Sequence, residues 1–183
     1  HRVDAWPIPA ATSGTPPKPA RISLTDAGTE VWVACHDSDR ILVLDGTSGA
    51  HRASIDTGWG TGPQCVALSR DGRYALVTLI RSHEILLIDR LSRKVLQRLQ
   101  EIPTGPLGIA WTEDAASAWI THAFPVGGDP FLSHVLVQHG VARVAGSFPL
   151  RAAGPPRARA LPPEHRIAEG EAAQLELAFE LAL

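Results

Sequence analysis

Four of the eight histidines and both cysteines of this chain sit in or beside short polar stretches between apolar runs. The stretches are Cys35-His36-Asp37-Ser38-Asp39, Arg81-Ser82-His83-Glu84, His122 after Ala118-Trp119-Ile120-Thr121, and His134, with Trp59 and Cys65 near the apolar run that begins at Val66. Imidazole, thiolate and carboxylate are the usual donors to transition metals, so the residue types would suit a metal or a polar ligand. Their spacing is less specific. There is no Cys-x-x-Cys, no pair of histidines at helical spacing, no Cys-x-x-Cys-His haem attachment site and no Gly-x-Ser-x-Gly elbow. Gly58-Trp59-Gly60-Thr61-Gly62 is glycine-rich but opens a strand-like run, so it lacks the helix N-terminus that cradles phosphate. The residues therefore assign no catalytic group and no cofactor, and leave metal binding open. The candidate binding residues are His36, Asp37, His83, His122, His134 and Trp59. Cys35 and Cys65 are a candidate disulfide, conditional on a Cα separation below about 7 Å.

A repeat must position these residues. Residues 62–89 read as three short strands separated by turns: Gly62-Pro63, then Val66 to Ser69, the turn Arg70-Asp71-Gly72, Tyr74 to Thr78, and Ile85 to Asp89. Val31-Trp32-Val33-Ala34 maps onto Ala75 to Thr78, and Ile41 to Asp45 onto Ile85 to Asp89, both at an offset of 44. Gly105-Pro106 and Ala118-Trp119-Ile120-Thr121 follow their counterparts, Gly62-Pro63 and Ala75 to Thr78, at 43. A period of this length with four short strands per unit is that of propeller blades, which cannot bury their apolar faces alone and must stack. The expected fold is all-β: a β-propeller fragment of about three to four four-stranded antiparallel blades.

The motif Gly-Pro…Val-Ala-Leu-Ser-x-Asp-Gly-Arg-Tyr-Ala-Leu-Val-Thr…Ile-Leu-Leu-Ile-Asp resembles the YVTN-type β-propeller repeat of bacterial and archaeal extracytoplasmic proteins, well over residues 19–125 and weakly over 126–150. Leu79, Cys35 and His122 stand where that family usually has Asn, and Asp114-Ala115 replaces the Asp-Gly turn in the third copy. The resemblance implies a periplasmic or secreted module. It would be a non-catalytic scaffold offering a loop-rich face to a ligand or a protein partner. Similar propellers are joined to c-type cytochrome or di-haem peroxidase-like domains, which implies a redox alternative with any haem on another part of the protein. Others are lactonase-like hydrolases, a weaker alternative.

In order, the chain divides into an extended Pro-rich leader over 1–19 and a single partial propeller over 20–183. The blades are expected at about 20–62, 63–105 and 106–150, then a Pro-, Ala- and Arg-rich loop over 151–172 and the start of a further blade over 173–183. At 183 residues with a net charge of −2, one domain is the default and no nucleic-acid footprint is expected. The chain begins with His1 and has no methionine, as expected of a processed or excised piece, and no apolar run is long enough to span a membrane. Open blade edges at the ends of such a stack would invite self-association.

Turns alternate between the two ends of a four-stranded blade. The second-to-third-strand turns and the blade junctions should gather Cys35, His36, Asp37, Asp39, Trp59, Cys65, Arg81, His83, Glu84, His122, Asp129 and His134 at one end, with His51 at the other.

Overall fold

The computed structural model describes residues 5–6, 8, 14–25, 27–100, 102–123 and 131–149. The expectations for Asp129, for the loop over 151–172 and for the further blade over 173–183 lie outside these residues.

Twelve strands form three separate four-stranded antiparallel sheets. The first holds β1 (Pro19–Leu24), β2 (Glu30–Cys35), β3 (Arg40–Asp45) and β4 (His51–Asp56). The second holds β5 (Pro63–Leu68), β6 (Tyr74–Leu79), β7 (Glu84–Asp89) and β8 (Val95–Leu99). The third holds β9 (Pro106–Trp111), β10 (Ser117–His122), β11 (Phe131–Gln138) and β12 (Val141–Pro149). Each sheet is a meander, with sequential strands side by side. The all-β blade architecture is thus the one the repeat predicts, with strand ends displaced by a residue or two. β11 is among the longer strands and starts at Phe131, so His134 lies within it.

Alternation along the strands divides each blade into a face toward the next blade, here called forward, and a face toward the preceding one, here called backward. Trp32, Ala34, Ile41 and Val43 on the forward face of blade one share a core with Val66, Ala75, Val77, Leu86 and Ile88 of blade two. Leu76, Ile85 and Leu87 on the forward face of blade two pack with Ala118, Ile120, Val135 and Val137 of blade three. Because β2, β3, β6 and β7 are covered on both faces, their residues read as unbroken apolar runs rather than as an apolar–polar alternation. Trp32, Val43, Val66, Leu76, Val77 and Leu86 are buried, while Leu68 and Ile109, on first strands, are half-buried.

The register shows the repeat residue by residue. Trp32 pairs with Val43, Leu76 with Leu87 and Trp119 with His134 at corresponding places. Trp32 is fully buried under blade two, whereas its counterpart Trp119 is 38% exposed and stacks on His134 with ring centroids 4.6 Å apart. Replacing Trp32 by Ala should therefore cost about 3–5 kcal/mol, the usual range for emptying a buried aromatic site, and Trp119→Ala should cost no more than about 1 kcal/mol; urea titration of both variants checks the contrast.

The first-to-second-strand turns also repeat. Gly28 and Gly72 take φ of +64° and +68°, and Ala115 is held at +56° in the same place. An L-residue with a Cβ pays about 1–2 kcal/mol for that conformation. Ala115→Gly is expected to raise stability by about 1 kcal/mol, read as a shift in the urea midpoint with unchanged slope.

Candidate functional site

The candidate site lies at the end of the blades where second strands finish. A short 3-10 turn, His36–Ser38, follows β2 and ends on Asp39 in the left-handed conformation, φ +50°. The matching residue of blade two, His83, has φ +57°. These two residues do equivalent work. The Asp39 carboxylate accepts the Gly62 N–H at 2.9 Å and the Gly60 N–H at 2.7 Å, fixing the connection from blade one to blade two. His83 Nδ1 accepts the Gly105 N–H at 3.1 Å, fixing the connection from blade two to blade three, which places the imidazole hydrogen on Nε2. Backbone bonds repeat alongside: His36 N–H to the Lys18 carbonyl at 3.0 Å, Ile80 N–H to Gly62 at 3.0 Å, and Ala123 N–H to Gly105 at 2.8 Å.

The loop gripped by Asp39 carries Trp59. Its neighbours Gly58 and Gly60 have φ of +94° and +72°, a backbone open to glycine and strained for other residues. Gly58 N–H donates to Asp56 at 2.6 Å, Thr61 Oγ1 donates to the Gly58 carbonyl at 2.9 Å, and the Thr57 and Thr61 hydroxyls lie 2.8 Å apart. Arg98 donates to the Thr57 carbonyl and, at 2.9 Å, to Glu84, so β8 braces the loop from beneath. At the tip the Trp59 side chain is 98% exposed. At the same end of the blades, Asp37 accepts from His36 Nδ1 and from Arg81, each at 2.8 Å, with Lys18 at 3.4 Å. The His36 bond, with Arg81 and Lys18 behind it, holds the Asp37 carboxyl at a pKa of about 2.

His36, Asp37, Trp59 and His83 therefore lie at one end of the blades, where Arg81 bonds Asp37, Asp39 holds the loop that carries Trp59, and His83 serves the next junction. His51 lies at the other end of the sheet, where it bonds Ser54. Two of the other expected binding residues are placed differently. His122 ends β10 at the correct end but is buried, and burial pushes its pKa down against the raising effect of the Thr104 and Pro103 backbone. His134 is not at this end. β11 begins at Phe131, so His134 falls in mid-strand, opposite Trp119 on the forward face of blade three. The Cys35–Cys65 disulfide does not form; both are free, buried thiols. Burial raises the pKa of both, Cys35 to about 11, so neither is poised as a thiolate. Among the described residues, no three His, Cys, Asp or Glu side chains converge to hold a metal ion.

The opposite end holds a cluster that the sequence reading did not single out. Glu30, at the start of β2, accepts from the Trp32 indole at 3.2 Å, Arg90 at 3.1 Å and Arg93 at 3.0 Å, with Arg52 at 3.6 Å. Arg90 and Arg93 belong to blade two, so this buried carboxylate clamps the first blade to the second. Its repeat counterparts are Tyr74 and Ser117, and a lone charged residue in that place was the available signal. A cavity of about 250 Å³ adjoins the clamp between the first turns of the two blades, lined in part by Thr25, Asp71 and Arg90.

Three successive four-stranded meanders packed face to face define a β-propeller-type fold. No protein-family model matches the chain, and no curated protein sequence matches it. Its fold is similar to that of a Kuenenia stuttgartiensis hydrazine synthase structure, at 19% identity and TM-score 0.65, over 72% of this chain and 37% of that one. It is also similar to a putative 6-phosphogluconolactonase from Bacteroides uniformis, at 13% identity and TM-score 0.63, over 72% and 41%. A chain in a nidogen/laminin complex aligns at 15% identity and TM-score 0.55, over 70% and 48%. The chain spans less than half the length of each of these structures.

Burial pushes the Glu30 carboxyl up, but its bonds to Trp32 and Arg93 and the charges of Arg93 and Arg90 outweigh that and leave it below the usual glutamate value. A depressed pKa contributes stability that is present above the unfolded value and is lost as pH falls through the folded one. Glu30→Gln should therefore lower stability near neutral pH by about 1–3 kcal/mol and flatten the loss as pH falls below the unfolded glutamate value of about 4.3. Denaturant titrations across that range check it. Asp37 and Asp45, also held low by their partners, keep part of the slope in the variant.

Proposed function

We propose that the chain is a non-catalytic YVTN-type β-propeller module that binds a protein partner through the loop-rich end of its blades, with Trp59 as the anchor. The observation that carries this reading is an indole exposed at 98% on a loop that Asp39 holds before and after it, its carbonyl accepting the Thr57 N–H and its carboxylate the Gly60 and Gly62 N–H groups. A large aromatic side chain held rigid in water is poor economy for a scaffold with no partner. Tryptophan is among the residues that most often carry the binding energy of interfaces, and a fixed loop loses little freedom on docking. His36, Asp37 and His83 form the polar rim. The repeat motif resembles extracytoplasmic YVTN proteins, and a periplasmic or secreted location belongs to the same proposal.

A photo-crosslinking residue in place of Trp59 should yield one saturable adduct with the partner. The same residue in place of Leu91, which is 79% exposed at the opposite end, should give none. Unlabelled native chain should abolish the adduct. Unlabelled Trp59→Ala should need at least about tenfold more protein to do so, as expected of a hot spot. Equal competition by the native chain and the variant, or the same adducts from both positions, would refute the reading.

A further inference from the structure

Two blade junctions in this chain are closed by different chemistry. Between blades one and two, the Asp39 carboxylate holds the Gly62 N–H at 2.9 Å. Between blades two and three, the lone pair of His83 Nδ1 holds the Gly105 N–H at 3.1 Å. A carboxyl oxygen can accept a hydrogen bond whether or not the group carries a proton. An imidazole nitrogen can do so only in the neutral ring, because an imidazolium carries a hydrogen on both nitrogens. Protonation of His83 would therefore turn the acceptor of the Gly105 N–H into a second donor facing it.

The same junction holds another histidine. His122, the last residue of β10, pairs in register with Pro106, as Cys35 pairs with Pro19 and Leu79 with Pro63. It is 3% exposed, and among the described residues neither ring nitrogen has a hydrogen-bond partner. A proton there would place a charge where burial disfavours it. The next residue, Ala123, donates its N–H to the Gly105 carbonyl, so both histidines bear on one glycine.

Neighbouring charges relieve neither ring. β9 has no titratable side chain, and β10 has none besides His122. His134 of β11 stands in mid-strand, opposite Trp119. In blade two, Tyr74 and Asp89 lie at the other end of β6 and β7, and Cys65 of β5 is a neutral, buried thiol. Beside His83, Glu84 is engaged by Arg98, Gln100 and Ser82, and Arg81 by Asp37. Glu101, in the connection to blade three, lies outside the described residues.

We propose that the junction between blades two and three is an acid-sensitive hinge, released when His83 and His122 take up protons, while the Asp39 junction stays closed. Histidine in an opened segment titrates near its ordinary value of about 6.5. The closed junction requires neutral rings, so closure is fully favoured above that value and weakens as pH falls through it. One blade contact is thus loosened in the range of ordinary histidine titration, and its neighbour is not.

Hydrogen exchange of the full chain, resolved by residue and taken relative to the intrinsic rate at each pH, tests this. From about pH 7.5 to about pH 5.5, protection of the Gly105 and Ala123 amides should fall at least about tenfold, the effect of one ring that must stay neutral. The corresponding amides of the first junction, Gly62 and Ile80, should keep theirs. His83→Asp combined with His122→Leu copies Asp39 and Leu79 into the second junction and should abolish the fall. The proposal is overturned if Gly105 and Gly62 lose protection together, which would mark a general loss of stability, or if neither loses it. It is equally overturned if the fall at Gly105 persists in the double variant.

Discussion

Everything in this structure depends on handing the chain from one blade to the next at a fixed angle. Each blade buries its apolar faces only against its neighbours, so a junction that swivelled would uncover both cores at once. The left-handed residue that closes the second-to-third-strand turn prevents this by holding the backbone N–H of the glycine that opens the next blade. Asp39 does so for Gly62 and His83 for Gly105. Two different side chains meet one demand, an acceptor at one point in space, and the repeat conserves the geometry rather than the residue. A carboxylate can take two amides at once, which lets Asp39 hold the end of the Trp59 loop at Gly60 as well as lock the junction at Gly62.

The fold was legible because its signals are local and repeated. Asp71-Gly72, Gly62-Pro63 and the apolar runs each specify a turn or a strand, and the offsets of 43 and 44 align them. The apolar runs of β2, β3, β6 and β7 even record that both faces are covered. The site was legible only as far as turn alternation reaches. That rule placed His36, Asp37, Trp59 and His83 at one end of the blades, without saying what they touch. It failed at His134, because β11 starts at Phe131 and holds His134 in mid-strand rather than at a turn. It gave no measure of depth, so His122 was placed at the right end without the burial that removes it from the surface. The Glu30 clamp was illegible for another reason: Arg90 and Arg93 lie 60 and 63 residues away, and only stacking brings them near.

The two ends of the blades use charge differently. At the Glu30 end, arginines converge on a carboxylate shielded from solvent, and the pairing joins blade to blade. At the loop end, Asp37, Arg81 and Lys18 pair in the open, where water screens them and each bond adds little to stability. Exposed pairs of that kind can be exchanged for contacts with a partner at small cost, whereas the Glu30 cluster could not be opened without stranding a buried charge. The electrostatics therefore assign cohesion to one end and leave the pairs at the other open to water.

The loop end also shows how a rigid fold can present a large aromatic side chain to water without collapsing around it. A flexible loop would let an indole fold back onto the nearest apolar surface. Here Gly58 and Gly60 turn the chain outward, the Thr57 and Thr61 hydroxyls close its base, and Asp39 and Arg98 hold both sides. The constraint is carried by backbone groups and short polar side chains, so Trp59 takes no part in holding its own loop. Stability and exposure are thus separated within six residues: the loop keeps its shape whatever stands at its tip, and the tip is free to be chosen for what it touches.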